Sequence, residues 1–209
     1  MTTALTPTPN RSPRRRERQK DQTRLDLALA AFEQAKAHGL AGVRVPQVAA
    51  AVGVSTRTFN NYFPSKEAAV AFPATLRAGR LAASLAERPA DEPLTAALIA
   101  AVTIQYGAEI EGLPAGWLQD FRALAVTEPA LQGEFLKAAA AAETALADAI
   151  ARRTGAGADD LEPQVLAAVV IGTERAAVRH WARQQHKRGP LTETVSAAIG
   201  MALRGTPGH

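Results

Sequence analysis

Cysteine is absent from all 209 residues, which removes disulfide frameworks, thiolate metal sites and cysteine nucleophiles and permits a reducing compartment. Aromatic residues make up only 5% of the chain, so large rings cannot dominate its cores. No apolar run approaches the ~20 residues that span a bilayer, and no secretory apolar core follows the basic N-terminus. A soluble, cytoplasmic protein with no membrane partner is expected. The four histidines, His38, His180, His186 and His209, share no metal-ligand spacing, and His180 and His186 do not stack on one helical face. No Gly-x-Ser-x-Gly elbow occurs, and Gly155-Ala-Gly157 with Asp159 and Asp160 reads as a solvated turn because no strand precedes it. No enzyme activity, metal site or cofactor is expected.

Alanine is plentiful. It dominates a hydrophobic share of 47%, and alanine favours helices that approach one another closely. The length suits one small helical domain and one larger one. The net charge of +4 is unevenly spread. Residues 1–24 hold seven basic side chains against Glu17 and Asp21, a surplus of five, which leaves −1 for the rest of the chain. Attraction for phosphate therefore lies at the N-terminal end.

Beside that end stands the stretch from Val45 to Glu67, with the remaining chain arranged around it. Val45, Val48, Ala49 and Val52 form a short apolar helix that runs into Gly53, a residue able to take the left-handed backbone of a sharp corner. Val54 can plug the corner, Ser55 stands where an N-cap would, and Pro64 ends the helix that follows. Ser65, Lys66 and Glu67 read as the cap and first turn of another. Two helices joined by a tight glycine corner make a helix-turn-helix, whose second helix offers its N-terminal side chains to the DNA major groove.

Gly53-Val54-Ser55, Thr58-Phe59 and Tyr62-Phe63-Pro64-Ser65-Lys66-Glu67 together resemble the signature of the TetR family of bacterial transcriptional regulators. The motif likeness covers roughly Arg24 to Val70. Arg44 stands where the family often has a capping threonine, and Asn60 where it often has an aromatic residue. The resemblance implies an all-α fold: a three-helix helix-turn-helix domain at residues 23–70, preceded by a disordered basic arm at 1–22 and followed at 71–209 by a helical ligand-binding and dimerisation domain.

Within the recognition helix Phe59 faces the core with Phe32 and Val48, while Thr56, Arg57, Asn60 and Asn61 point outward. Arginine pairs bidentately with guanine and asparagine with adenine, so Arg57, Asn60 and Asn61 are the candidates for base readout. Thr58, Tyr62 and Lys66 are similar to family positions that hold phosphates, and Arg44 joins the DNA-facing set. The basic run from Arg14 through Arg15 and Arg16 to Lys20 has two readings, an arm along the duplex or a solvated tail.

Helical patterning continues downstream. Residues 65–72 start a fourth helix, which Pro73 is expected to hinge or divide. Helices are then expected at 75–87, 94–111, 114–126, 129–153, 163–187 and 192–204. By the family resemblance a ligand cavity lies between the last two of these helices and the earlier ones, with Gln105, Tyr106, Arg122, Thr173 and Glu174 as its polar groups and Trp117, Phe121 and Phe135 as an aromatic wall. Its unidentified small-molecule effector is expected to be apolar or amphipathic. Leu166, Val170, Ala177 and Trp181, with Val195, Ile199 and Ala202, form stripes rich in small residues. These suit a four-helix bundle with a two-fold copy, and a purely intramolecular core is the other reading. A homodimer would read double-stranded DNA at a palindromic operator. The competing function is a helical ligand-binding or scaffold protein without specific DNA binding, against which stands the polar face of Arg57, Asn60, Asn61, Tyr62 and Lys66.

Overall fold

The structure, a computed structural model, describes residues 12–107, 117, 120–121, 124–125, 128–157, 159–184 and 189–204. Its described residues contain helices and no strand. They fall into two compact units, Met1–Phe72 and Pro73–His209.

In the first unit, α1 (Ser12–Gly42), α2 (Val45–Ala51) and α3 (Thr56–Tyr62) precede the start of α4 (Lys66–Ala86). Helix α1 starts at Ser12 rather than Thr23, so residues 12–22 of the expected disordered arm are helical. Arg, Gln, Lys and Glu are strong helix formers, and lacking anything to bury does not stop them. Residues 15–22 are exposed. Gln22 Nε2 donates to Asp26 Oδ1 at 2.8 Å, and Thr23 Oγ1 donates to the Gln19 carbonyl at 2.9 Å. The end predicted at His38-Gly39 is a break, with Gly39 at φ 68° and ψ 169°.

On α1, Leu27, Ala28, Ala31, Phe32 and Ala35 are all buried, and Leu25 and Leu29 are half-buried. Helix α1 packs on α2, and α2 on α3. Phe32, Val48 and Phe59 are each at most 1% exposed. The Phe63 ring lies 5.7 Å from that of Phe59 and 5.5 Å from that of Phe72. Above these rings Arg24 places its guanidinium carbon 4.5 Å from the Phe72 centroid and 5.5 Å from that of Phe63. An aromatic pair adds ~0.5–1.5 kcal/mol beyond burial, and an exposed cation–π contact ~0.5–1 kcal/mol. Together they fasten α1 to the first turns of α4.

Pro73 neither ends nor divides α4, which runs from Lys66 to Ala86 with the proline inside it. Proline removes one backbone donor, yet the helix continues through it.

In the second unit, the remainder of α4 is joined by α5 (Leu94–Gly107), α6 (Pro129–Thr154), α7 (Leu161–Arg183) and α8 (Leu191–Arg204). Between α5 and α6, Trp117, Asp120, Phe121, Leu124 and Ala125 are helical, within the span predicted as a helix. Helix α6 opens with Pro129 in its first turn and closes on Gly155, whose φ of 75° is left-handed. Helix α7 packs on α6 and α8, and α8 on α5. Leu85, Leu98, Leu146, Ile150, Val170, Val195 and Ile199 fill the centre, each at most 1% exposed. The connector before α5 is pinned by Arg153, which donates to the carbonyls of Arg88, Pro89 and Glu92. Across that connector, Arg88 grips Glu92 bidentately at 2.7 and 2.6 Å.

Six of the seven residues expected on a dimer face are buried within the chain. Leu166, Val170, Ala177, Trp181, Val195 and Ile199 are 0–8% exposed within the single chain, and Ala202 is half-buried. Those six have little area left to give a partner and belong to the intrachain core, which corrects their placement on a dimer face; half-buried Ala202 keeps area for one. What α7 and α8 leave outside is Leu161, Val165 and Met201, at 73%, 44% and 67% exposed. No helix among the described residues is long and apolar enough to cross a membrane.

Candidate nucleic-acid interface and effector cavity

The corner between α2 and α3 follows from three residues. Helix α2 begins after Arg44, whose side chain makes no cap hydrogen bond. Its backbone N–H instead donates to Gln34 Oε1 at 3.0 Å, and its Nη1 donates to the Ala41 carbonyl at 2.6 Å. Gly53 takes φ 74°, a left-handed conformation that costs a side-chain-bearing residue ~1–2 kcal/mol. The Val54 N–H then donates back to the Ala49 carbonyl at 2.9 Å, closing the turn. Ser55, extended at φ −81° and ψ 157°, caps α3 by accepting the Thr58 N–H at 3.1 Å. Its hydroxyl also meets that of Thr58 at 2.9 Å.

This geometry sorts the candidate residues. Phe59 is buried, while Thr56, Arg57, Asn60 and Asn61 are exposed together on the outer side of α3. Arg44, Arg15 and Arg16 are also exposed, whereas the Arg14 side chain lies outside the described residues. Thr58 and Tyr62 are half-buried, with the Thr58 hydroxyl engaged at the cap. Lys66 is half-buried too, and its Nζ donates to the Leu40 carbonyl at 2.8 Å. It ties the start of α4 to the chain beyond the Gly39 break and has two N–H bonds left for a phosphate. Ser65 caps α4 by accepting the Ala68 N–H at 3.1 Å. The exposed group combines bidentate donors for guanine and adenine with a flanking positive charge, on a helix seven residues long that fits a major groove.

The second unit holds a cavity of ≈ 30 Å³ between α4, α5, α6 and α7. That is room for about one or two waters. Of the predicted residues Gln105, Phe135 and Glu174 line it. Tyr106 reaches it through the Glu174 carboxylate, to which its hydroxyl donates. Trp117 and Phe121 are buried and pair with each other at 6.2 Å, but neither lines the cavity. Thr173 is half-buried and is not among the lining residues, and Arg122 lies outside the described residues.

Sequence reasoning missed Arg77, and with it the polar centre of this unit. Arg77 is 7% exposed and donates from Nη2 to Glu174 Oε1 at 2.9 Å, with its guanidinium carbon 4.6 Å above the Tyr106 ring. Burial works against its charge, but Tyr106 and Glu174 outweigh burial and hold its pKa above the ordinary arginine value. The signal was a charged residue on an apolar stripe, three residues after Ala74 and four before Leu81, both buried. Arg175, which also lines the cavity, was missed as well.

Known proteins share both units. Residues 27–70 match the family model described as bacterial regulatory proteins, tetR family, and residues 92–207 match that of the MftR C-terminal domain. The HTH-type transcriptional regulator TcmR of Streptomyces glaucescens is 33% identical over 179 residues, 83% of this chain and 79% of TcmR. Among solved structures, a transcriptional regulator from Rhodococcus sp. Rha1 is 25% identical with a TM-score of 0.52, over 87% of this chain and 96% of that one. The fatty acid degradation regulator FadR from Bacillus halodurans shares the fold at a TM-score of 0.56 and 19% identity, over 90% of this chain and 97% of its own.

Proposed function

The chain belongs to the TetR family of bacterial transcriptional regulators, DNA-binding proteins and not enzymes, and on that footing we propose that it is a cytoplasmic homodimeric repressor released from a palindromic operator by a small apolar or amphipathic effector. The observation that carries the DNA half of this reading is the exposed quartet Thr56, Arg57, Asn60 and Asn61, presented by a helix capped at Ser55 and anchored by buried Phe59. Arg57, Asn60 and Asn61 read bases. Tyr62, Lys66, Thr58 and Arg44 set register on phosphates, and the basic first turns of α1 add salt-dependent attraction.

The two-fold contact uses the outward stripe of α7 and α8. Leu161, Val165 and Met201 are large, apolar and exposed. Between them, Ala168, Gly172, Ala176 and Ala197 are small and exposed, which lets helices of two copies approach closely. The effector enters the cavity among α4 to α7 and favours one arrangement of the unit over another. Only such differential affinity can alter DNA binding. Selection of bound duplexes from a random pool tests the reading. Enrichment of one palindrome is the expected result; weak, sequence-blind binding that vanishes with salt would instead mark a ligand-binding or scaffold protein.

A further inference from the structure

Among the described residues, three buried side-chain polar atoms lack a hydrogen-bond partner: Nε of Arg77, Nε of Arg175 and Oγ1 of Thr103. Two of the three belong to arginines that line one cavity. Arg77 commits Nη2 to Glu174 and leaves Nε idle. Arg175 is half-buried and makes no ion pair or hydrogen bond with any described residue. The lining residues therefore set two guanidiniums against the single carboxylate of Glu174. The rest of the lining is alanine, other apolar side chains and the Gln105 amide.

A cation facing an apolar wall without a counter-charge is costly, and a bound anion offsets that cost. The surplus is one positive charge, which matches a monoanion; a multiply charged headgroup would leave the cavity with excess negative charge. A carboxylate also suits the planar fork of arginine. Resting on the reading of this unit as an effector sensor, we infer that the ligand of this cavity is an amphipathic carboxylic acid. Its carboxylate meets Arg175 and the free edge of Arg77, and its apolar body lies along Ala74, Ala78, Ala138 and Ala142. At ≈ 30 Å³ the cavity is far below the ~300–1,000 Å³ of a ligand pocket, so the acid enters as the alanine walls part.

Calorimetry on the full chain tests this with straight-chain acids from hexanoate to hexadecanoate and phenyl-substituted acids, each beside its methyl ester and the corresponding amine. At least one acid should bind, with its ester and amine roughly tenfold weaker or worse, the loss expected for a charge-assisted hydrogen bond. Arg175→Gln should weaken the acid by a similar factor without weakening the ester, and Arg175→Lys should recover part of the loss. Esters that bind as tightly as acids, an acid affinity indifferent to Arg175→Gln, or a series in which nothing binds would each overturn the inference. Release of a selected operator duplex is scored separately. An acid that binds through Arg175 yet leaves DNA bound supports this site and defeats effector control. A neutral compound that releases DNA independently of Arg175 does the reverse.

Discussion

Replacing Glu174 with alanine should remove roughly 3–5 kcal/mol of stability, and replacing Arg77 along with it should restore most of the loss. The two residues are 8% and 7% exposed and joined at 2.9 Å. Glu174 also accepts the Tyr106 hydroxyl. Without the carboxylate, Arg77 keeps its charge in a buried site and loses its opposite charge, while Tyr106 loses its acceptor. The double replacement Arg77→Met with Glu174→Leu removes both charges at similar volume, a change that is neutral or stabilising in comparable buried pairs. For a chain of 209 residues, each kcal/mol moves Tm by about 2–4 °C. Glu174→Ala should therefore melt roughly 6–20 °C lower, and the double variant within a few degrees of the parent. Circular dichroism melts and urea titrations of the parent, both single variants and the double variant give the coupling free energy. A loss under about 1 kcal/mol for Glu174→Ala, or a double variant as unstable as the single one, would mean that water reaches Arg77 and that the pair behaves as a solvated one.

Other perturbations probe the reader and the interface. Arg57→Ala should lose about 1–3 kcal/mol of affinity for the selected site and relax one base position; an unchanged binding profile removes Arg57 from the readout. Neutralising Arg15, Arg16 and Arg18 to glutamine keeps strong or good helix formers in α1 and should flatten the salt dependence of binding by about 0.9 for each phosphate no longer neutralised, whereas an unaltered slope leaves these side chains as a solvated face. Ser55→Ala should destabilise the chain by about 1 kcal/mol, read from urea unfolding, and a neutral result would show that the Thr58 N–H finds another partner. Val165→Asp with Met201→Asp should convert a dimer to a monomer in light scattering with little change in melting, since both positions are exposed; a persistent dimer places the interface elsewhere.

The reader was legible in the sequence because its determinants are local. Gly53, Ser55 and Pro64 bound α3 within a few residues, and the caps they predict are the ones observed. The second unit was legible as helices and only partly as a cavity, whose lining includes the expected Gln105, Phe135 and Glu174 but also Arg77 and Arg175. The partners of its polar centre, Arg77 and Glu174, lie 97 residues apart, beyond the reach of any periodicity. Its alanine-rich helices also carry apolar residues on both sides. Leu166 and Val165 are neighbours in sequence, yet one is buried and the other exposed, and composition alone does not say which faces inward. At the N-terminus, residues 12–22, expected to be disordered, are helical because helix propensity follows side-chain shape more than charge.

For the proposed effector, a cavity of only ≈ 30 Å³ sets a dose threshold. If the effector-competent form is the fraction of molecules whose walls have parted, apparent affinity is the intrinsic affinity reduced by that fraction. Each ~1.4 kcal/mol spent on opening raises the concentration needed for half-response about tenfold. Ala138 and Ala142 touch the cavity from one helix, so under the proposed effector control exchanges there move the set point through wall packing and ligand contact together, while leaving operator recognition alone. On that proposal, the effector dose and the choice of operator are adjusted by different residues of the same chain.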